Sequence, residues 1–327
     1  MKRAMLRALK LASVVMLCAH AAGQASAQGY PSRPIRIIAP SGAGGPVDVI
    51  CRTVSQALSE VLGQQVVVDN RVGAAGLIGT EIVAKAPPDG YTLLFGFSGP
   101  LAIVPNLNPN TPYDPVRDLV PISQVAAAPY VLLVHPSVPA KTVKQLVALA
   151  KSRPGKLNFS SGGTGVGIHM AGELFKLAAG VNIIHVPYKG AAPAMTALMA
   201  GEVDMMFNGL SPALPHIRTG KLRALAVGGE QRSPLLPELP TVKESGFDFN
   251  TTGWYGVVAP KGTPPAVVNA LYKGLRQALG SAQLKSQFTK LAVESVGSSP
   301  REFSSLIGTE LQKWAKVIKA AGLVAKP

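Results

Sequence analysis

The chain has 327 residues, 32 basic against 17 acidic side chains, a formal charge of +15, 47% apolar residues and two cysteines. That length and apolar share suffice for a packed core in more than one lobe, and they exclude a disordered or disulfide-stapled protein. No segment reaches the roughly 18 uninterrupted apolar residues of a membrane helix, and the positive charges are scattered without a nucleic-acid motif, so no nucleic-acid partner is expected.

Lys2, Arg3, Arg7 and Lys10 open the chain, residues 11–22 are apolar, and Ala25-Ser26-Ala27 forms an A-x-A site. Together they read as a secretory signal over 1–27, cleaved after Ala27, and so as a soluble, exported protein. Val15-Met16-Leu17 lacks the small residue that a lipidated Cys18 would need beside it. Cleavage leaves 28 basic against 17 acidic residues and Cys51 alone, so no disulfide forms within the mature chain. The remaining charge adds a general field favourable to small anions.

In chain order the patterns predict strand 35–40, helix 48–62, strand 65–69, helix 77–86 and strand 92–96. Strand 130–135, helix 143–152, strand 157–160, helix 167–179, strand 183–187, helix 192–200 and strands 204–208 and 222–228 follow. Strand 254–259 and helices 264–279 and 300–321 close the series. Alternating short apolar runs and helical patterns argue for α/β layers. A fresh series begins in mid-chain and the last helices follow a returning strand. The expected organisation is therefore two α/β lobes, 28–125 plus 255–327 and 126–254, joined by a two-segment hinge near 122–128 and 251–256.

One device occurs twice: an apolar strand, a glycine loop and a helix start. The first copy runs from Ile35 through Ser41-Gly42-Ala43-Gly44-Gly45-Pro46-Val47-Asp48, the second from Leu157 through Ser160-Ser161-Gly162-Gly163-Thr164-Gly165-Val166-Gly167-Ile168-His169. Glycine admits close backbone approach, and a helix N-terminus offers free N–H groups and the positive end of its dipole. Each copy is an anion cradle. Placed about 120 residues apart, roughly one domain's length, they suggest two lobes gripping one anion.

The usual catalytic constellations are missing: no G-x-S-x-G, Walker loop, H-E-x-x-H or C-x-x-C occurs, and neither glycine loop satisfies G-x-G-x-x-G. Of the four histidines after the leader, His135, His169, His185 and His216, none pair at metal spacing. His169 stands apart because it follows the second loop, where it either pins that loop or touches a ligand. Neither an enzyme, a metal site nor a cofactor is expected.

The stretches Tyr30-Pro31-Ser32-Arg33-Pro34-Ile35, Gly44-Gly45-Pro46-Val47-Asp48, Gly73-Ala74-Ala75-Gly76, Pro88-Asp89-Gly90-Tyr91-Thr92, His169-Met170-Ala171-Gly172-Glu173, His185-Val186-Pro187-Tyr188-Lys189-Gly190 and Leu239-Pro240-Thr241-Val242 resemble the periplasmic substrate-binding proteins of tripartite tricarboxylate transporters, the Bug family. The resemblance covers nearly the whole chain after the leader. It implies a two-lobed periplasmic binding fold, type II-like, that closes on a small carboxylate and delivers it to a membrane permease of that transporter type. The implied ligand class spans mono-, di- and tricarboxylates, aromatic acids included; presentation of the closed form to a membrane sensor kinase is the alternative. The ligand-facing positions it implies are Ser41, Gly44, Gly45 and Asp48 in the first loop, Ser98 and Gly99 after the third strand, and Ser160, Ser161, Gly163, Thr164, Gly165 and His169 in the second lobe. Tyr188, Lys189, Gly190 and Asn208 complete the set. Asp48 has two readings, N-cap of its helix or orienter of water at the ligand. Ser41 stands where the family often carries an aromatic residue, Val166 where it often carries Ser or Thr, and Asn208 where aspartate is frequent. The missing aspartate points away from amino acids and toward a carboxylate with some apolar surface.

Overall fold

Ile35, Ile37, Ile38 and Ala39 are almost wholly buried, as expected of a central strand covered by helices on both faces. The computed structural model describes residues 29–323; the expected leader and its cleavage site lie outside the described residues. In chain order the elements are β1 (Ile35–Ala39), α1 (Pro46–Leu62), β2 (Val66–Asn70), α2 (Leu77–Ala84), β3 (Thr92–Phe97), α3 (Val104–Leu107), β4 (Leu119–Val134), α4 (Val143–Ser152), β5 (Asn158–Ser161), α5 (Gly167–Ala179), β6 (Ile184–Pro187), α6 (Ala191–Met199), β7 (Met205–Gly209), α7 (Leu210–Arg218), β8 (Arg223–Val227), β9 (Thr252–Pro260), α8 (Pro265–Gly280), α9 (Ala282–Lys290), β10 (Glu294–Ser295) and α10 (Pro300–Ala320).

β1 pairs in parallel with β2 and β3, β3 pairs antiparallel with β9, and β9 pairs antiparallel with β4. In the second half β5 pairs in parallel with β6 and β7, β7 pairs antiparallel with β4, and β4 pairs antiparallel with β8. The two orders, β2-β1-β3-β9-β4 and β6-β5-β7-β4-β8, are one arrangement used twice. Each lobe thus presents the C-terminal ends of three parallel strands along one edge, where open α/β sheets bind ligands.

β4 serves both lobes. From Leu119 to Pro129 it pairs with β9, ending at the Pro129–Thr252 pair, and from Tyr130 onward it pairs with β7 and β8. The strand predicted at 130–135 is only its last third. Pro121 and Pro129 conceal the rest, because proline lacks the N–H of a ladder residue and reads as a strand breaker. A core cluster including Ile38, Leu94, Leu132, Phe159 and Trp314 runs from one lobe into the other.

α10 straps the first lobe and touches the second. Its start is a capping box, Ser299 with Glu302. Its buried Glu310 accepts from the indole N–H of both Trp254 and Trp314, at 3.1 and 2.9 Å, and Asn106 donates to Leu311 O at 3.0 Å. α7 and α9 appear where no helix was predicted: Pro212 and Pro215 disguise α7, while Ser281 serves α8 and α9 at once as C-cap and N-cap.

Candidate functional site

In the first lobe the loop after β1 is braced from below. Gly44, with φ +76°, donates its N–H to Asp48 Oδ2 at 2.8 Å; Asn70 Nδ2 reaches Oδ1 at 2.8 Å and Arg52 Nε reaches Oδ2 at 3.0 Å. Asp48 is 2% exposed. Burial raises its pKa, but hydrogen bonds from Arg52, Gly44 and Asn70 outweigh burial and hold the carboxyl below its usual range. The helix N-cap is Gly45, and Asp48 is the third helical residue, so the N-cap reading is corrected: its carboxylate ties loop to helix from inside the first turn. Ser41 Oγ is sealed from solvent without a hydrogen-bond partner.

The loop after β2 was not singled out as part of the site. Gly73, Ala74, Ala75 and Gly76 all have positive φ, at +132°, +46°, +54° and +95°. Left-handed backbone costs an alanine about 1–2 kcal/mol, a strain that tends to persist at binding sites. The segment packs beside the turn after β3: a methyl group on Gly76 would stand 3.1 Å from Pro100, and one on Gly99 would stand 3.3 Å from Ala75 O. Its glycine-flanked alanine pair was the available signal. Ser98, 6% exposed, opens that third turn.

In the second lobe the polar side chains of the glycine loop turn inward. Ser160 Oγ donates to Ala194 O at 3.1 Å, and Ser161 Oγ accepts from Gly163 N at 3.2 Å and lies 2.6 Å from His185 Nε2. His169 Nδ1 accepts from Gly165 N at 3.1 Å, which leaves its proton on Nε2. Its ring centroid lies 3.9 Å from that of His185. Burial, with His185 and Lys176 nearby, pushes His169 down to about 3, and burial with Lys176 pushes His185 down to about 4. Both are neutral at ordinary pH. His169 therefore pins the loop from beneath, with Ser160 and Ser161 as fellow supports; Thr164 is exposed at the tip, Gly163 is half-buried and Gly165 is buried. Gly163 and Gly165 hold φ of +127° and +83°.

The next loop is fastened alongside by Tyr188 N to Ser161 O (2.9 Å) and Gly190 N to Gly162 O (3.2 Å). Gly190 is the N-cap of α6, while Lys189 is exposed. Asn208 is occupied within its own lobe, its Oδ1 accepting from Gly209 N at 2.9 Å and its Nδ2 lying 3.5 Å from Met195 Sδ.

The lobes meet at α5. A methyl group on Gly165 would stand 2.6 Å from Leu107 Cδ1 of the first lobe, and one on Gly167 would collide with the Tyr130 hydroxyl and lie 3.6 Å from Ser98 Oγ. The structure thus brings Ser98 against the second loop, while the loop bearing Ser41, Gly44 and Gly45 lies on the same sheet edge beside Asn70. Tyr130 went unnoticed in the sequence because nothing local links it to residues 98 and 167. Among the described residues no group of three or more His, Cys, Asp or Glu could hold a metal ion, and no helix is long and apolar enough to cross a membrane. Surface hollows of about 430 and 560 Å³ adjoin Pro136, at the far end of β4 from these loops.

Two α/β lobes of one strand order, exchanging strands β4 and β9 and each carrying a glycine loop at a helix N-terminus, define a two-lobed solute-binding protein of the periplasmic kind. A family described as "Tripartite tricarboxylate transporter family receptor" matches residues 50–323. Protein BugT of Bordetella pertussis is 39% identical over 324 residues, 98% of this chain and 99% of that one. A Rhodopseudomonas palustris protein solved with adipate superposes with a TM-score of 0.80 at 36% identity, covering 90% of this chain and 98% of the other. MatC of the same organism, with bound malate, gives a TM-score of 0.77 at 29% identity, covering 88% and 100%. The chain belongs to the tripartite tricarboxylate transporter receptor family, that of the Bug proteins. The family is one of periplasmic solute-binding receptors rather than enzymes.

Proposed function

We propose that this protein captures a small carboxylate between its lobes in the periplasm, without chemical turnover, and delivers it to a tripartite tricarboxylate permease. The observation carrying this reading is the junction at α5, where a helix N-terminus and the Ser98 hydroxyl of the other lobe converge. A few charge-assisted hydrogen bonds of about 1.5–3 kcal/mol each supply the roughly 8 kcal/mol of micromolar affinity without an arginine. Adipate and malate in the two neighbours make dicarboxylates the first class to try.

The ligand-facing set in this reading is the loops at Gly44, Gly45, Gly99, Gly163, Thr164 and Gly165, which shape the cradle while the N–H groups of Gly44, Gly45, Gly163 and Gly165 are held by Asp48, Gly42, Ser161 and His169, together with the hydroxyls of Ser41 and Ser98 and the rim formed by Tyr188, Lys189 and Gly190. Asp48, Ser160, Ser161, His169 and Asn208 act behind it as supports. Closure turns about the two crossing strands, near Pro129–Tyr130 and Thr252; the first lies four to five residues beyond the boundary expected at 125 and just past the 122–128 crossing, the second within the 251–256 crossing, and the change of strand partners there supports this. Residues 1–27 act as the export signal.

Thermal melting of refolded, ligand-stripped protein against mono-, di- and tricarboxylates, aromatic acids and amino acids tests the assignment. Ligand at about 100 times its dissociation constant adds about 2.7 kcal/mol, a shift of several degrees. A selective shift by one carboxylate class supports the reading, and silence from the refolded protein across the panel refutes it. Uptake and gene induction measured separately in a deletion strain distinguish delivery to a permease from presentation to a sensor kinase.

A further inference from the structure

Tyr130 occupies the point where β4 passes from one lobe to the other. Its carbonyl accepts from Gly228 N at 2.7 Å and its residue pairs with Gly209, so its backbone is held by the second lobe. Its ring reaches back between the lobes. Three elements make room for it: Gly167 at the start of α5, Gly253 at the start of β9, where a methyl group would stand 3.2 Å from the phenol oxygen, and the turn carrying Ser98. The residue packs against the core cluster shared by the lobes and against that of the second lobe.

The polar groups gathered there are nearly all donors. Ser98 is the hydroxyl beside the phenol. Neither hydroxyl is taken by a backbone carbonyl or a carboxylate among the described residues. If one of the two donates to the other, one proton still lacks an acceptor. The N–H groups of Gly167 and Ile168, in the first turn of α5, likewise have no acceptor among the described residues, as the start of a helix dictates. These donors, gathered beside a 94%-buried serine with Tyr130 half-buried and not taken by the chain's own carbonyls or carboxylates among the described residues, suit an acceptor brought from outside. Burial first, then Tyr255 and Glu310, pushes the Tyr130 phenol well above the usual tyrosine range, so it remains a protonated donor.

We infer that Tyr130 is a specificity-determining residue whose hydroxyl donates directly to the bound anion at the start of α5, together with Ser98. This inference rests on the carboxylate reading above. Tyr130 would act from the stationary crossing strand, so the bond forms only when both lobes bring Ser98 and Gly167 up to it, and a ligand with no acceptor at that place leaves the donors unsatisfied. Such a site discriminates strongly, since buried polar groups left unpaired penalise the wrong ligand.

The test is titration calorimetry of ligand-stripped wild type and Tyr130→Phe with succinate, malate, glutarate and adipate, alongside the melting temperature of each unliganded protein. The expected result is a loss of about ten- to a hundredfold in affinity for the acid wild type binds best, with unliganded melting unchanged. Affinity within twofold of wild type overturns the inference and leaves the carboxylate reading standing. A matching fall in unliganded melting assigns the hydroxyl to the fold and also overturns it. Failure of wild type to bind any of the four acids overturns this proposal for dicarboxylates at its root, before the variant is considered.

Discussion

Replacing Asp48 by alanine or asparagine separates a brace from a ligand contact. The carboxylate accepts from Gly44 N, Asn70 Nδ2 and Arg52 Nε at 2.8, 2.8 and 3.0 Å and is itself buried. Breaking a fully buried ion pair costs about 3–5 kcal/mol, but Arg52 is half exposed and regains water, so Asp48→Ala should cost about 2–4 kcal/mol. Asp48→Asn keeps an acceptor for one loop partner and should cost about 1–2 kcal/mol. The melting temperature falls in that order, by several degrees for alanine. The acid limb supplies an internal check. Because the folded pKa is depressed, the stabilisation is present above the ordinary aspartate value near 3.9 and is lost as pH falls through the folded value. The gap between wild type and Asp48→Asn should therefore be full at pH 6 and shrink toward pH 3. Differential scanning calorimetry over that range, with ligand titration at pH 7, reads both quantities. A hundredfold loss of affinity in Asp48→Asn with an unchanged melting temperature would refute the brace and make Asp48 a ligand-orienting group.

Ser98→Ala should weaken ligand binding about tenfold while leaving unliganded melting within a degree, because no protein carbonyl loses a donor; calorimetry with the best-bound dicarboxylate checks it. His169 and His185 bind protons more weakly folded than unfolded, so stability falls as pH drops from about 6.5 toward 3 to 4, and NMR titration should find both rings neutral at pH 5.5. Titration of either ring near pH 6.5 would remove them from the loop's support. Gly256→Ala places a methyl group into the Phe303 ring and 2.7 Å from Ser123 O, where β4, β9 and α10 are pressed together; a loss of about 1–3 kcal/mol in denaturant melts is expected, and a neutral effect would show that α10 is free to shift.

Much of the fold was legible because its signals are local. Apolar runs such as Ile35 to Ala39, bounded by glycine and proline, announce buried strands, and Gly-Gly-Pro before Val47 announces a helix start whatever surrounds it. The same holds for α5, predicted and found at Gly167–Ala179. Local signals misled where proline serves a special context. Pro121 and Pro129 sit inside β4, opposite Val258 and Thr252, and Pro215 sits inside α7. Chain order likewise hid the abutting helices α8 and α9, because Ser281 ends one and begins the next.

The sequence by itself determined where glycine loops meet helix starts, and so where free N–H groups must lie, since that depends only on neighbouring residues. Tertiary structure alone decided which way the polar side chains of those loops point. Asp48, Ser160, Ser161 and His169 stand in the right loops, yet their hydrogen bonds run inward to Gly44, Ala194, Gly163 and Gly165. A loop's sequence specifies its backbone possibilities, whereas the direction of each polar side chain is settled by the nearest buried partner. Tyr130 is the opposite case: residues 98, 130, 167 and 253 become neighbours only when β4 crosses between the lobes, and no spacing along the chain could have announced it.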